Sequence, residues 1–295
     1  MVGKNITAHP SAQNYIFITP SSSELDLRNH RNVLDFIKLQ NPDLIVHCAG
    51  VVGGIQANIN SPLKFLVDNM DIGRNVILSA RQCNVKRLIN LASSCIYPKE
   101  VDGLLSEDMI LTGALEPTNE GYAFAKIYAL KLCEYIRAEN SEFKYKTLIP
   151  CNLYGKYDKF DPENAHLIPS IIRKIHDAKL HNYPQVEIWG DGTARREFMY
   201  AADLSDAIFK CLSNIDAVPN IMNIGIGTDH TIQEYYEECA KVIGWHGNFT
   251  YNLNKPVGMK KKQVLIEKQS AWGWKPSTNL SLGIKDTYDF FRTQE

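Results

Sequence analysis

No apolar run in the sequence approaches the ~18 residues that a membrane-crossing helix requires, and the start lacks the charged-then-apolar pattern of a secretory signal. An excess of charge of one sign is also missing. The 32 Lys and Arg residues face 33 Asp and Glu, the formal net charge is −1, and neither half holds a long single-sign run. That balance excludes the basic footprint of a nucleic-acid binder. Lys260 to Lys262 form the only basic run and read as a solvated loop, with an anion site as the alternative. The seven cysteines are odd in number and scattered, with no CxxC and no Cys/His ligand spacing, which predicts a reducing compartment, the cytosol, and no metal site. Internal repeats and low-complexity segments are absent too. What remains is a chain of 295 residues, 44% hydrophobic, able to bury a sizeable core in one large domain or one and a half.

Short β-branched runs alternate with helical patterns along the first half. Tyr15–Thr19, Asp43–Ala49, Arg87–Ala92 and Tyr145–Pro150 read as strands, apolar without alternation, as buried parallel strands are. Between them, Leu63, Leu66, Val67, Met70, Val76, Ile77 and Ala80 predict a helix over Ser61 to Cys83, and a second begins near Gly121 with Tyr122, Ala125, Ala129 and Leu132 on one stripe. Strand, helix, strand in this order implies right-handed crossovers and a doubly wound parallel α/β sheet. Beyond Gly155 the pattern changes to helix His166–Leu180, strands Val186–Trp189 and Glu197–Tyr200, helix Leu204–Asn214, strand Asn220–Ile224, helix Thr231–Ile243 and a last helix Leu280–Phe291. The expectation is a dinucleotide-binding domain over 1–155 and a smaller substrate lobe over 156–295, with segments returning to the first domain and a cleft between the two.

Tyr122 and Lys126 stand four apart, so on a helix they share a face. An ammonium beside a phenol favours the phenolate, which makes Tyr122 a candidate proton donor to a developing alkoxide. The same spacing also occurs on ordinary amphipathic faces. Ser93-Ser94 follow directly on an apolar strand, where open α/β sheets place their ligands, and a hydroxyl there can hold a substrate carbonyl or simply cap a turn.

The blocks Ser93-Ser94-Cys95-Ile96-Tyr97-Pro98 and Glu116-Pro117-Thr118-Asn119-Glu120-Gly121-Tyr122-Ala123-Phe124-Ala125-Lys126 closely resemble the GDP-L-fucose synthase family of extended short-chain dehydrogenase/reductases. The resemblance continues through Val52-Gly53-Gly54-Ile55, Asn152-Leu153-Tyr154-Gly155, Asn164-Ala165-His166-Leu167-Ile168-Pro169 and Trp189-Gly190-Asp191-Gly192 to Arg196-Glu197-Phe198, in the family's order. It implies an NADP-dependent reaction on GDP-4-keto-6-deoxy-D-mannose: epimerisation at C3 and C5, then reduction of the C4 ketone. By the resemblance, Ser93, Tyr122 and Lys126 serve the ketone, Cys95 removes the α-protons and His166 returns one from the opposite face. Lys126 also holds the nicotinamide ribose, and Asn152, Arg173, Trp189, Arg196 and Lys255 face the GDP-sugar. Without the resemblance, Cys95 reads as a small buried hydrophobe, His166 as a helix-start histidine, Arg196 as a partner of Glu197 and Trp189 as core. Related members acting on a colitose or heptose precursor, and a silent homologue, are the alternatives. The family also predicts a homodimer built on the helices Ser61–Cys83 and Gly121–Ala138.

The cofactor end matches less well. Family members open with a strand and a glycine-rich turn that holds the pyrophosphate; here Met1-Val2-Gly3-Lys4-Asn5-Ile6 matches only the last part, about a dozen residues in, so a Rossmann-type sheet without its first strand is expected, through truncation of the reading frame or, as the alternative, a rearranged domain. Gly3, Ser22, Asp26, Leu27, Ala49, Gly50 and Asn69 are the remaining cofactor candidates. Ser21-Ser22-Ser23 stand where an arginine often meets the 2′-phosphate, and with no acidic residue there NADP is preferred over NAD. After Lys255-Pro256 the family's usual acidic residue is replaced by Val257, which leaves nucleotide contact by this loop in question.

Overall fold

The computed structural model describes residues 1–161, 165–255 and 258–294, so Asn164, Pro256 and Val257 lie outside the described residues. The helices are α1 (Val2–Thr7), α2 (His30–Gln40), α3 (Ile55–Asn60), α4 (Pro62–Gln82), α5 (Glu120–Glu139), α6 (Leu167–Leu180), α7 (Ala201–Ser213), α8 (Ile232–Ile243), α9 (Glu267–Ala271) and α10 (Leu280–Arg292). The strands are β1 (Ile45–His47), β2 (Arg87–Leu91), β3 (Lys144–Pro150), β4 (Asn152–Tyr154), β5 (Gln185–Trp189), β6 (Arg195–Arg196), β7 (Phe198–Tyr200), β8 (Ile221–Ile224), β9 (His230–Thr231), β10 (Asn248–Asn252) and β11 (Lys261–Lys262).

A four-stranded, all-parallel sheet in the order β1-β2-β3-β8 forms the first layer, with Val46 opposite Ile89 and Leu148 opposite Met222. Its strands are apolar on both faces because helices cover both. Leu88 and Tyr145 pack with Val76, Ile77 and Cys133 of α4 and α5, while their neighbours Ile89 and Leu148 pack with Leu204 and Ile208 of α7. Each such fully buried aliphatic side chain contributes about 2 kcal/mol of transfer free energy. α4 and α5 lie close because Gly121 has no side chain: a Cβ there stands 2.9 Å from the Pro62 carbonyl oxygen. This is the expected doubly wound α/β architecture.

One expected strand is not formed. Tyr15–Thr19 forms no regular element, and Ile16 is 96% exposed. Its backbone groups find no ladder, since among the described residues β1 pairs on one side only, with β2. A strand is defined by its neighbour, and apolar composition alone does not create one.

The second layer forms its own core from Ile171, Ile172 and Ile175 of α6, Tyr235 and Cys239 of α8, and Ile284 and Phe291 of α10. α8 starts with a capping box: the Thr231 hydroxyl accepts from the Glu234 N–H at 3.0 Å and the Glu234 carboxylate accepts from the Thr231 N–H at 2.6 Å, worth about 1 kcal/mol. β5 alternates, so Val186 and Ile188 enter this core while Trp189 points away. The chain returns through β8 to the first sheet.

Candidate active site

A cavity of about 1320 Å³ runs between the two layers and is lined from both. At its floor, β2 ends at Leu91 and the chain turns at once into a short 3-10 segment, Ser94–Ile96. Ser93 caps that turn, its hydroxyl accepting from the Cys95 N–H at 3.4 Å, and both side chains line the cavity. Ser94 is buried behind them. The turn therefore fixes the hydroxyl and the thiol together, and the capping role of Ser93 coexists with its exposure to the cavity.

Tyr122 and Lys126 reach the same floor from the first turns of α5. The ammonium lies 5.6 Å from the phenol ring centroid, but it donates to the Leu91 carbonyl at 3.0 Å rather than to the phenol oxygen. That corrects the expected electrostatics. Burial, then the neighbouring Cys95, pushes the Tyr122 phenol well above its ordinary range, and burial draws the Lys126 ammonium down against the opposing pull of Cys95 and Cys48. In this arrangement Tyr122 is a firmly held acid. Burial also pushes the Cys95 thiol up, opposed in order by Lys262, the Ser93 hydroxyl and Lys126.

Across the cavity, His166 caps α6 and is 35% exposed, with its Nδ1 3.5 Å from Oδ1 of Asp158. β6 alternation sends Arg196 into the cavity and its neighbour Glu197 the other way. The Glu197 carboxylate accepts from the N–H groups of Ile226, Gly227 and Val264 at 2.6, 2.9 and 2.8 Å, so it is a structural clasp and not the ion partner of Arg196. Asn152 lines the cavity with its amide nitrogen donating to the Glu197 carbonyl at 2.9 Å. Arg173 lies on the same wall. Trp189 is 40% exposed, with the ammonium groups of Lys174 and Lys255 at 5.5 and 5.1 Å from the centre of its indole ring, so it belongs to the cavity rim and not to the core.

The cofactor candidates Gly3, Ser22, Asp26, Leu27, Ala49 and Gly50 line the opposite end. Asn69 does not. Its carbonyl accepts from the Val51 N–H at 2.8 Å and its amide donates to the Val51 and Phe65 carbonyls at 3.0 and 2.7 Å, so it braces the loop from behind. A Cβ on Gly50 stands only 2.9 Å from this Asn69 oxygen, which is why the brace requires glycine there.

The sequence model of the NAD dependent epimerase/dehydratase family matches residues 1–225. The chain belongs to this family. It is 54% identical to GDP-L-colitose synthase from Yersinia pseudotuberculosis over 295 residues, covering 100% of this chain and 96% of that one. It is 50% identical to GDP-L-fucose synthase from Azorhizobium caulinodans, over 99% of this chain and 94% of the relative. Among solved structures it resembles a GDP-D-glycero-L-gluco-heptose synthase from Campylobacter jejuni determined in the presence of NADPH, with TM-score 0.88, 28% identity, and coverage of 99% of this chain and 95% of the other.

Three residues of this epimerase/dehydratase chain were not singled out by the motifs yet line the cavity. Lys262, read as part of a solvated run, is paired in register with Arg196 on β11 and turned inward, while Lys260 and Lys261 are exposed. Strand alternation separates Lys262 from Lys261, and Lys260 lies before the start of β11. Arg28 projects at the cofactor end, its guanidinium held bidentately by Asp26 at 2.9 and 2.8 Å. Asp158 sits beside His166 with a side chain only 3% exposed.

Proposed function

We propose that this chain converts GDP-4-keto-6-deoxy-D-mannose to GDP-L-fucose with NADPH, by epimerisation at C3 and C5 and reduction at C4. The observation that carries the proposal is the convergence of Ser93, Cys95, Tyr122, Lys126 and His166 on one cavity. Residues 1–155 serve the cofactor and 156–295 the sugar nucleotide, with β8 returning to the first sheet.

The chemistry follows from the C4 carbonyl, which acidifies the protons on both neighbouring carbons. The Cys95 thiolate takes such a proton; the C–H electron pair moves onto the C4 oxygen, where the Ser93 and Tyr122 hydroxyls donate to it. Loss of one such donor typically slows reaction by about 10²- to 10³-fold. His166 then gives a proton to the carbon from the other face, and the ketone re-forms with inverted configuration. Tyr122 finally protonates the C4 oxygen during reduction, while Lys126 holds the cofactor ribose.

The residues present fit NADPH: Gly3 and Gly50 leave the wall open to close approach, and Arg28 with Ser22 offers a guanidinium and a hydroxyl to a 2′-phosphate. When bound, NADPH supplies the hydride to C4. At the other end Trp189 offers a stacking face to guanine, and Arg173, Arg196 and Lys255 offer charge to the diphosphate. Exposed Leu63 and Val67 on α4 and Phe124 and Tyr135 on α5 support a homodimer through these helices. No helix among the described residues is long and apolar enough to cross a membrane, and we place the enzyme in the cytosol.

A second reading, favoured by the 54% identical relative, takes the 4-keto precursor of GDP-L-colitose instead. Loss of NADPH absorbance, followed with the two ketosugars in parallel, separates the readings. Faster turnover of the fucose precursor is expected. A strong preference for the colitose precursor overturns the assignment of substrate, and no turnover of either points to a silent homologue.

A further inference from the structure

Two polar side chains stand beside each other on the sugar side of the cavity, and among the described residues each keeps one buried polar atom without a hydrogen bond, Nδ1 of His166 and Oδ2 of Asp158. Asp158 is 3% exposed and His166 is 35% exposed, with Oδ1 and Nδ1 3.5 Å apart. Among the described residues the buried His166 Nδ1 and Asp158 Oδ2 have no hydrogen-bond partner. The Asp158 Oδ1 accepts from the adjacent Lys159 N–H at 2.8 Å. A buried carboxylate oxygen left empty is costly, and the imidazole N–H is a donor within a small rotation of it.

The two groups arrive from separate elements. His166 is the cap of α6. Asp158 belongs to the turn after β4, pinned by its own N–H to the Gly155 carbonyl at 3.3 Å, with Tyr157 held at φ +67° and its ring against Phe290 at 5.1 Å. A turn anchored on α10 thus presents a carboxylate to a histidine on another helix.

We propose that Asp158 is a positioning residue for His166, holding the proton on Nδ1 so that Nε2 is the nitrogen that exchanges protons with the sugar. This rests on the reading of His166 as the proton carrier in epimerisation. In the step, the Nε2–H bond breaks, the enolate electron pair forms the new C–H bond and the C4 oxygen returns to a ketone. The remaining neutral ring keeps its Nδ1–H on the carboxylate, ready to be reprotonated at Nε2 by water. Without that carboxylate the ring is free to adopt the other tautomer or to turn away.

The test uses the full chain with ¹⁵N-labelled histidine, the ring signals of His166 being assigned among the eight histidines by their loss in His166→Gln. Wild type is expected to show a protonated Nδ1 and an unprotonated Nε2 in the neutral ring; Asp158→Ala is expected to shift toward a mixture of tautomers. In parallel, solvent deuterium uptake into GDP-4-keto-6-deoxy-D-mannose is expected to fall on the order of 10²-fold in Asp158→Ala. The isosteric Asp158→Asn, whose amide oxygen still accepts from Nδ1–H, should recover part of it. NADPH binding checks that each variant is folded. An unchanged ¹⁵N pattern in Asp158→Ala overturns the proposal even if exchange falls, and unchanged exchange overturns its catalytic consequence. If wild type takes up no deuterium, the proposed reaction fails, while the ring signals still decide whether Asp158 sets the tautomer.

Discussion

The floor of the cavity and its opposite wall are built by different means. On the floor, the groups sit at the end of a strand buried from Leu88 to Leu91 and on the first turns of a twenty-residue helix, and Cys95 and Lys126 are 5% and 8% exposed. Their polar atoms are tied to backbone: Lys126 to Leu91, Ser93 to Cys95. On the opposite wall, His166 and Trp189 stand at a helix start and a strand end, each more than a third exposed. The difference matches two demands of the proposed reaction. Hydride and proton delivery to one carbonyl needs a dry, rigid site, whereas proton return and nucleotide recognition need access to water and room for the ligand to enter.

The largest effect should come from the floor. Tyr122→Phe removes the proposed acid for the C4 oxygen while keeping the ring on α5, so NADPH oxidation is expected to fall by about 10³-fold or more at unchanged thermal stability. Undiminished oxidation would erase the distinction between floor and wall. Cys95→Ser comes next. Deuterium uptake at C3 and C5 should drop by roughly 10²- to 10³-fold, and more than reduction of an already epimerised ketone does, because a serine hydroxyl in this buried site is far harder to ionise than a thiol. Equal losses in the two assays would show that Cys95 is not a dedicated base.

This asymmetry explains what could be read from the sequence. The floor is encoded locally: a serine directly after an apolar strand, and Tyr122 and Lys126 one helical turn apart, each legible from spacing. The parallel, doubly wound character of the sheet also follows from alternating strands and helices. By contrast, Asp158 and His166 stand eight positions apart in the sequence and on different elements, and the Arg28 guanidinium is held by the Asp26 and Asp68 carboxylates. No periodicity announces such pairs. α2 carries its own signals: Asn29 accepts from the Asn32 N–H at 3.2 Å, Val33 and Ile37 share the buried face, and Asn41 ends the helix at φ +42°. Tyr15–Thr19 misled in the opposite sense, since β-propensity describes a fit to a neighbouring strand, and none lies beside it among the described residues.

Lys262 offers the smallest but sharpest test, because it ties a residue from the second layer to the floor. Its charge is the first of the influences that oppose burial at the Cys95 thiol, and burial in turn draws the Lys262 ammonium down. A positive charge favours the thiolate, so Lys262→Met leaves burial less opposed and moves thiol ionisation to higher pH. The rising limb of the deuterium-exchange rate should therefore move to higher pH, with a loss of rate at neutral pH and little loss in alkaline buffer. A loss of equal size at every pH, accompanied by weaker binding of GDP, would instead make Lys262 a partner of the substrate diphosphate. In that case Cys95 would depend on Ser93 and Lys126 alone, and the floor would be electrostatically independent of the lobe that closes over it.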